Sequence, residues 1–338
     1  MAHDLETQNG VASFASFREP AWHNLGTVFD TEKNTSEMLV AANLNNWNVR
    51  LEDLEIPTSL VSDKQYQYVV RTNPTDKSQT DVLGIVGQRY VPLQNEDLFA
   101  FGDNILDGGG RWETAGSISG GRVVFGSLAL ERETVLDPNG VADVVKTYLL
   151  INTSHDGSIA IQASITPVRV VCANTLNVAL NRTKKKDGVK QSFKIRHTQT
   201  AEGKITVARQ ALGMANAYMT EFDKMAHAMI AKEISAQDFN NIILAAYPKP
   251  ELDTKGAVKK WENKVDMIND IYTGEYNGMI SGNAWGAFNA LTERLDWYRT
   301  SRSANGESMF AAASGFDPAT NAEKNRLLSI VQNTLQIV

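Results

Sequence analysis

The chain has a single cysteine, Cys172, in 338 residues. That excludes an internal disulfide and any metal site built on several thiolates. Its five histidines, His3, His23, His155, His197 and His227, show no metal-ligand spacing, so neither a metal nor another cofactor is expected. No apolar run approaches the roughly 20 residues of a membrane-spanning helix. The polar, acidic stretch Met1–Gly10 does not read as a secretory signal. A cytoplasmic protein without a membrane partner fits these absences. Gly108-Gly109-Gly110-Arg111 and Gly120-Gly121-Arg122 lack the lysine and the spacing of nucleotide-binding loops, and read as turns. No catalytic signature is present. His155-Asp156 could form an acid/base pair, but Asp156-Gly157 is ordinary turn chemistry and neighbours in a turn seldom face one another.

Positive charge is also scarce overall. Lys and Arg number 33 against 39 Asp and Glu, a net charge of −6, which excludes a surface uniformly coated for nucleic acid. The distribution is uneven. Between Arg182 and Arg196, seven cations (Arg182, Lys184, Lys185, Lys186, Lys190, Lys194, Arg196) stand against Asp187 alone, a local net of +6 that leaves −12 on the remainder. An anionic partner would be steered to one place.

What is abundant is patterned hydrophobicity, 42% of residues, enough for a sizeable core. Residues 1–20 read as a flexible or docking arm. Thr35–Ala42 is a short helix capped by Thr35 or Ser36. Trp47–Leu51 alternates like a strand, and Gln65–Arg71 with Val82–Gly87 forms a hairpin. Gln94–Phe101 opens a helix with acids in its first turn, stopped by Gly108-Gly109-Gly110. Four strands follow, joined by short turns: Trp112–Ile118, Arg122–Leu130, Val144–Asn152 and Ile159–Ala163. Short connections imply antiparallel pairing.

Thr166 suits an N-cap and Pro167 a first helical position. A long helix to Arg182 is therefore expected, with Val168, Val171, Cys172, Leu176, Ala179 and Leu180 on one face and Asn174, Asn177 and Asn181 elsewhere. From Lys204 on the pattern is mostly helical. Ala208, Leu212, Ala215, Met219, Phe222, Ala226 and Met229 step like a bundle or coiled-coil seam. Further helices are expected from Ser235, across Val258–Tyr272, across Trp285–Tyr298, and from a capping box at Thr320–Glu323. Thr300–Ala319 reads as a mobile loop. The fold class is thus α+β: an antiparallel meander with a long packed helix over residues 1–200, then an all-α region over residues 201–338.

Several motifs carry a resemblance. These are Trp22-His23-Asn24-Leu25-Gly26-Thr27, Gly120-Gly121-Arg122, Asn152–Ser158, Thr166–Leu176 and Asn283–Ala290. On them the chain resembles the phage/plasmid-like family built around domain of unknown function 932. The resemblance implies a mobile-element setting inside a host cell and supplies no catalytic residues. The order of meander then long helix also resembles, in topology, single-strand annealing proteins of the Rad52 and Red-beta type. Those are oligomers that hold single-stranded DNA in a basic groove without metal or nucleotide.

These observations lead to a single-stranded DNA-binding and annealing protein as the expected function, acting in recombination or replication as a homo-oligomer. Phosphate contacts would come from Arg169, Arg182, Lys184, Lys185, Lys186, Lys190, Lys194 and Arg196, with Phe193 interleaved for stacking. Arg111, Arg122 and Lys146 on the preceding strands would extend the surface if the strand register allows. The plain alternative for the basic segment is a solvated loop. The alternative function is a non-catalytic structural or interaction protein of a phage assembly or host-takeover complex, assembling through the helical seam.

Overall fold

A computed structural model describes residues 5–18, 25–54, 65–106, 110–137, 139–169, 174–175, 192–195, 201–250, 255–298 and 318–337. Its sheet is organised by the turn signals. Ser119, Gly120 and Gly121 follow one another at φ of 57°, 67° and 84°, a left-handed run that glycine adopts without Cβ strain. This turn joins β8 (Gly110–Ile118) to β9 (Val123–Leu136) as an antiparallel hairpin in which Ile118 faces Val123. β10 (Asp143–Ser154) and β11 (Ile161–Arg169) follow in chain order and in sheet order. The four sequential strands expected from the turn spacing are therefore present.

The amino-terminal arm is docked. β1 (Thr7–Gln8) pairs with β2 (Val11–Ala12), and β3 (Phe14–Phe17) lies antiparallel on β8, with β4 (Thr27–Phe29) parallel on its other side. The cause is apolar burial: Phe14, Ala15 and Phe17 all join the core. A separate three-stranded antiparallel sheet consists of β5 (Arg50–Asp53), β6 (Tyr66–Thr72) and β7 (Thr80–Gly87), the last two being the expected hairpin. Trp47, just ahead of β5, is fully buried.

α1 (Thr35–Ala41) is capped one residue earlier than expected. Asn34 accepts from the Glu37 backbone N–H, and the Glu37 carboxylate accepts in return from Asn34 N–H, both at 3.0 Å. α2 (Asn95–Leu106) carries Glu96 and Asp97 in its first turn, where the helix dipole favours them.

The helix expected over Thr166–Arg182 is not formed at its start. Thr166, Pro167, Val168 and Arg169 continue β11, and Asn174–Thr175 returns as β12, with Arg169 opposite Asn174. The β-branched run favours extended backbone. Pro167 falls between the outer partners of β11, after the positions paired with β13 (Ser192–Ile195) and before those paired with β12. In that gap a missing N–H breaks no described ladder on the outer side. The long helix comes later, as α3 (Ala201–Ile230).

Among the described residues four more α-helices follow: α4 (Ala236–Ala246), α5 (Lys255–Thr273), α6 (Ala284–Trp297) and α7 (Pro318–Leu335). Ser235 and Asp238 form a reciprocal capping box for α4. Pro318 takes the first position of α7, so Thr320 lies inside that helix rather than capping it. The remainder of the expected mobile loop lies outside the described residues. Met219, Phe222, Ala226 and Met229 of the expected seam are buried. They pack within the chain itself: Met219 Sδ is 3.5 Å from Thr147 Oγ1, and the Phe222 ring meets Trp285 edge-on at 6.1 Å. Among the described residues no helix is long and apolar enough to cross a membrane.

The element order changes from mixed α/β to all-α close to residue 200, so the protein is α+β. Packing groups the chain into two interleaved compact units. One holds residues 1–131, 148–165 and 191–215, the other 132–147, 166–190 and 216–338. The chain passes from one unit to the other inside β9, β10, β11 and α3.

Candidate nucleic-acid interface

The end of the basic segment is a strand. β13 lies antiparallel to β11, with Ile195 opposite Ile161, Lys194 opposite Gln162, Phe193 opposite Ala163 and Ser192 opposite Ser164. The alternation in Ser-Phe-Lys-Ile fits strand periodicity, and β11 offers an edge on the side away from β10. Ala163 and Ser164 are buried, whereas Gln162 is half-exposed. Lys194 therefore occupies the register position beside the more exposed residue, and Phe193 the position beside a buried one.

The other expected contacts divide as follows. Arg169 is the last residue of β11. Arg182, Lys184, Lys185, Lys186, Lys190 and Arg196 lie outside the described residues. Lys146 sits on β10 among Val144, Tyr148 and Leu150, the half-buried set that alternates with fully buried Val145, Thr147, Leu149 and Ile151.

Arg111 is on β8, four strands from β13 in the order β13-β11-β10-β9-β8, roughly 19 Å at the usual strand spacing. Its guanidinium is held by Glu113 at 2.6 Å and Glu32 at 3.6 Å, and it lies 4.7 Å from the Phe17 ring centroid. These bonds, that from Glu113 first, push its pKa up. Arg111 is thus a neutralised structural cation. Arg122 is exposed in the β8–β9 turn and donates to the Ser119 carbonyl at 2.8 Å.

In the His155-Asp156 turn the two side chains engage different partners. His155 is fully buried, with Nε2 at 2.9 Å from Asn95 Oδ1, while Asn95 Nδ2 donates to the Leu44 carbonyl at 2.8 Å. Asp156 instead accepts from the Ser158 backbone N–H at 2.9 Å. Burial raises the Asp156 carboxyl, but the Ser158 bonds outweigh it, and the net position is below the usual carboxylate range. Tyr90 Oη donates to the carbonyls of Ser154 and His155 at 3.2 and 3.3 Å. Burial, and then Asp156, push that phenol up to about 12, so Tyr90 remains a donor throughout the physiological range. Together these groups form a braced turn.

A cationic group in the helical unit was not apparent from sequence. Lys264 of α5, Arg294 of α6 and Arg326 of α7 surround the Tyr247 ring at 4.7, 5.2 and 5.8 Å. Arg326 is paired with Glu323 at 2.6 Å. Neither Lys264 nor Arg294 has a carboxylate within ion-pair distance among the described residues. Four separate segments supply this group, so no local motif marks it.

Residues 82–314 match the family model described as a domain of unknown function, DUF932. The match covers β8 to β13 and the helices through α6. No curated protein and no solved structure matches the chain.

Proposed function

The chain belongs to the family of the domain of unknown function DUF932, and within it we propose a single-stranded DNA-binding and annealing protein of a mobile element, acting in recombination or replication. The observation that carries this reading is the pairing of β13 with β11. It anchors one end of the +6 segment on a sheet edge instead of leaving it to trail. A tethered cationic segment loses less conformational entropy on binding than a free one. It sits on an otherwise acidic chain, which favours one binding track over general adhesion to duplex DNA. Lys194, in register with half-exposed Gln162, supplies a cation beside that track, whereas Phe193, in register with buried Ala163, belongs to the opposite face of the strand and drops out as a stacking partner. Lys184, Lys185, Lys186 and Lys190 supply the phosphate contacts, with Arg169, Arg182 and Arg196 flanking them. Arg111 drops out of this set because Glu113 and Glu32 hold it.

The test is a strand-annealing assay. Two complementary labelled oligonucleotides of about 40 nucleotides, several single-strand site sizes long, are mixed with and without the protein. Faster annealing with wild type, and background rates with Lys184→Gln/Lys185→Gln/Lys186→Gln, are expected. No binding of either strand even at low salt sinks the proposal.

A further inference from the structure

α5 carries its charges against its own dipole. Lys255, Lys259, Lys260 and Lys264 lie in its first half with Glu262 as the one acid among them, and Asp266 and Asp270 lie toward its end. Lys255 in the first turn and Asp270 in the last oppose the helix dipole. Along that first half lies a cavity of about 960 Å³ bounded by α4, α5, α6 and the Tyr247–Pro250 segment, a volume at the upper end of small-molecule sites. Lys260, Lys264 and Arg294 line it, and among the described residues no carboxylate does.

The two inner cations are under-used. Among the described residues Arg294 makes one side-chain hydrogen bond, from Nη1 to Tyr247 Oη at a long 3.5 Å, and its Nε is buried with no acceptor. Lys264 has the Tyr247 ring at 4.7 Å as its contact. Burial, and then the neighbouring Arg294, push Lys264 below the usual lysine range, with Glu323 acting the other way. On the same wall stands Trp261. Its indole N–H donates to the Tyr247 carbonyl at 2.8 Å, which fixes the ring, and the residue is half-exposed.

We propose that this cavity binds a nucleotide, with the phosphate held by Lys260, Lys264 and Arg294 and the base stacked on Trp261. Three cations exceed what a lone carboxylate needs and match a phosphate, which a guanidinium fork can grip through two oxygens. A fixed, partly exposed indole supplies the stacking surface a planar heterocycle requires. The described lining residues all lie between Ala246 and Tyr298. The nucleotide can be free or one unit of a strand, and the test separates the two.

Calorimetric titration of the full chain would use dAMP, adenosine, inorganic phosphate and a single-stranded oligonucleotide. For a free nucleotide, dAMP binds at least tenfold tighter than either adenosine or phosphate. That binding falls at least tenfold in Arg294→Gln and in Lys260→Gln, and is unchanged in Lys184→Gln/Lys185→Gln/Lys186→Gln. For a unit of a strand, dAMP does not bind, but the same two cavity variants weaken the oligonucleotide. Lys260 is exposed, so its variant remains informative even where Arg294→Gln fails to fold. Inorganic phosphate or adenosine binding as tightly as dAMP overturns the assignment. So does oligonucleotide and dAMP binding that is indifferent to both cavity variants.

Discussion

Replacing Arg71 with Met should destabilise the unit that holds it more than any change at an exposed arginine. Arg71 is fully buried. Its Nη1 donates to Glu6 Oε2 at 3.0 Å, its Nη2 bonds Glu6 Oε1, and its Nε donates to Asp81 Oδ2 at 3.0 Å. Its Cζ lies 3.9 Å from the Trp47 ring centroid. Gly121 is packed so closely that a Cβ there would come within 2.3 Å of Arg71 Nη1. Glu6, itself buried, also accepts from Ser117 Oγ at 2.5 Å.

Taking the arginine away leaves the Glu6 carboxylate without its counter-charge in the core, a change that costs about 3–5 kcal/mol. Asp81, with its side chain 23% exposed, adds little because water reaches it. At about 2–4 °C per kcal/mol for a unit of this size, Tm should fall by about 6–20 °C. Differential scanning calorimetry would measure it. Adding Glu6→Gln removes the stranded charge, so the double variant should recover stability, with a coupling energy of roughly 2 kcal/mol in the cycle. A single variant within about 2 °C of wild type, on the scale of less than one kcal/mol, would refute the reasoning. So would a double variant worse than the single.

Further outcomes follow from the same kind of accounting. Lys324 and Asp296 form a fully buried pair at 2.6 Å. Lys324→Met alone should therefore cost about 3–5 kcal/mol in urea unfolding, and Lys324→Met with Asp296→Leu much less. Burial raises the Asp81 carboxyl, but bonds from Asn73 and Arg71 outweigh it and hold it below its ordinary value of 3.8. Asp156 is displaced the same way. Both folded values lie below the unfolded ones, so the unfolded chain takes up more protons in acid. Stability should be level above that window and fall as pH drops through and below 3.8, with a shallower fall for Asp81→Asn in a pH series of Tm values. A Cβ at Gly84 would meet Asp156 Cα at 2.8 Å. Gly84→Val should thus loosen the 154–158 turn, read as faster amide exchange there. His155→Ala strands Asn95 in the core at a cost of about 1–3 kcal/mol, and should leave any background nuclease activity unchanged.

Much of the fold was legible because its signals are local. Gly120-Gly121 announced a hairpin turn, Ser235 with Asp238 a helix start, and the spacing of Trp285, Phe288, Leu291 and Leu295 a buried helix face. What misled was chemistry that two structures share. Thr166-Pro167 is a good helix opening and an equally good strand segment where an outer ladder is interrupted. Only the partner strands, supplied from elsewhere in the chain, decide between them. The four-residue β13 is too short to stand out beside so many lysines, and its identity depends on β11. The Glu6–Arg71 pair spans 65 positions and the Tyr247–Arg326 contact many more. No window of sequence contains either. Among the residues proposed for the interface, charge alone could not show that Arg111 is already neutralised by Glu32 and Glu113.

The proposal of single-strand binding stands or falls on the salt dependence of affinity for a labelled DNA strand, measured by anisotropy for wild type and for Lys184→Gln/Lys185→Gln/Lys186→Gln. Each phosphate contact contributes about −0.7 to the slope of log K against log salt for single strands. Arg169, Arg182, Lys184, Lys185, Lys186, Lys190, Lys194 and Arg196 acting together predict a slope near −5 to −6, and the triple variant one shallower by about 2. Equal slopes for the two proteins, or no binding at about 50 mM salt where such contacts are strong, would contradict it.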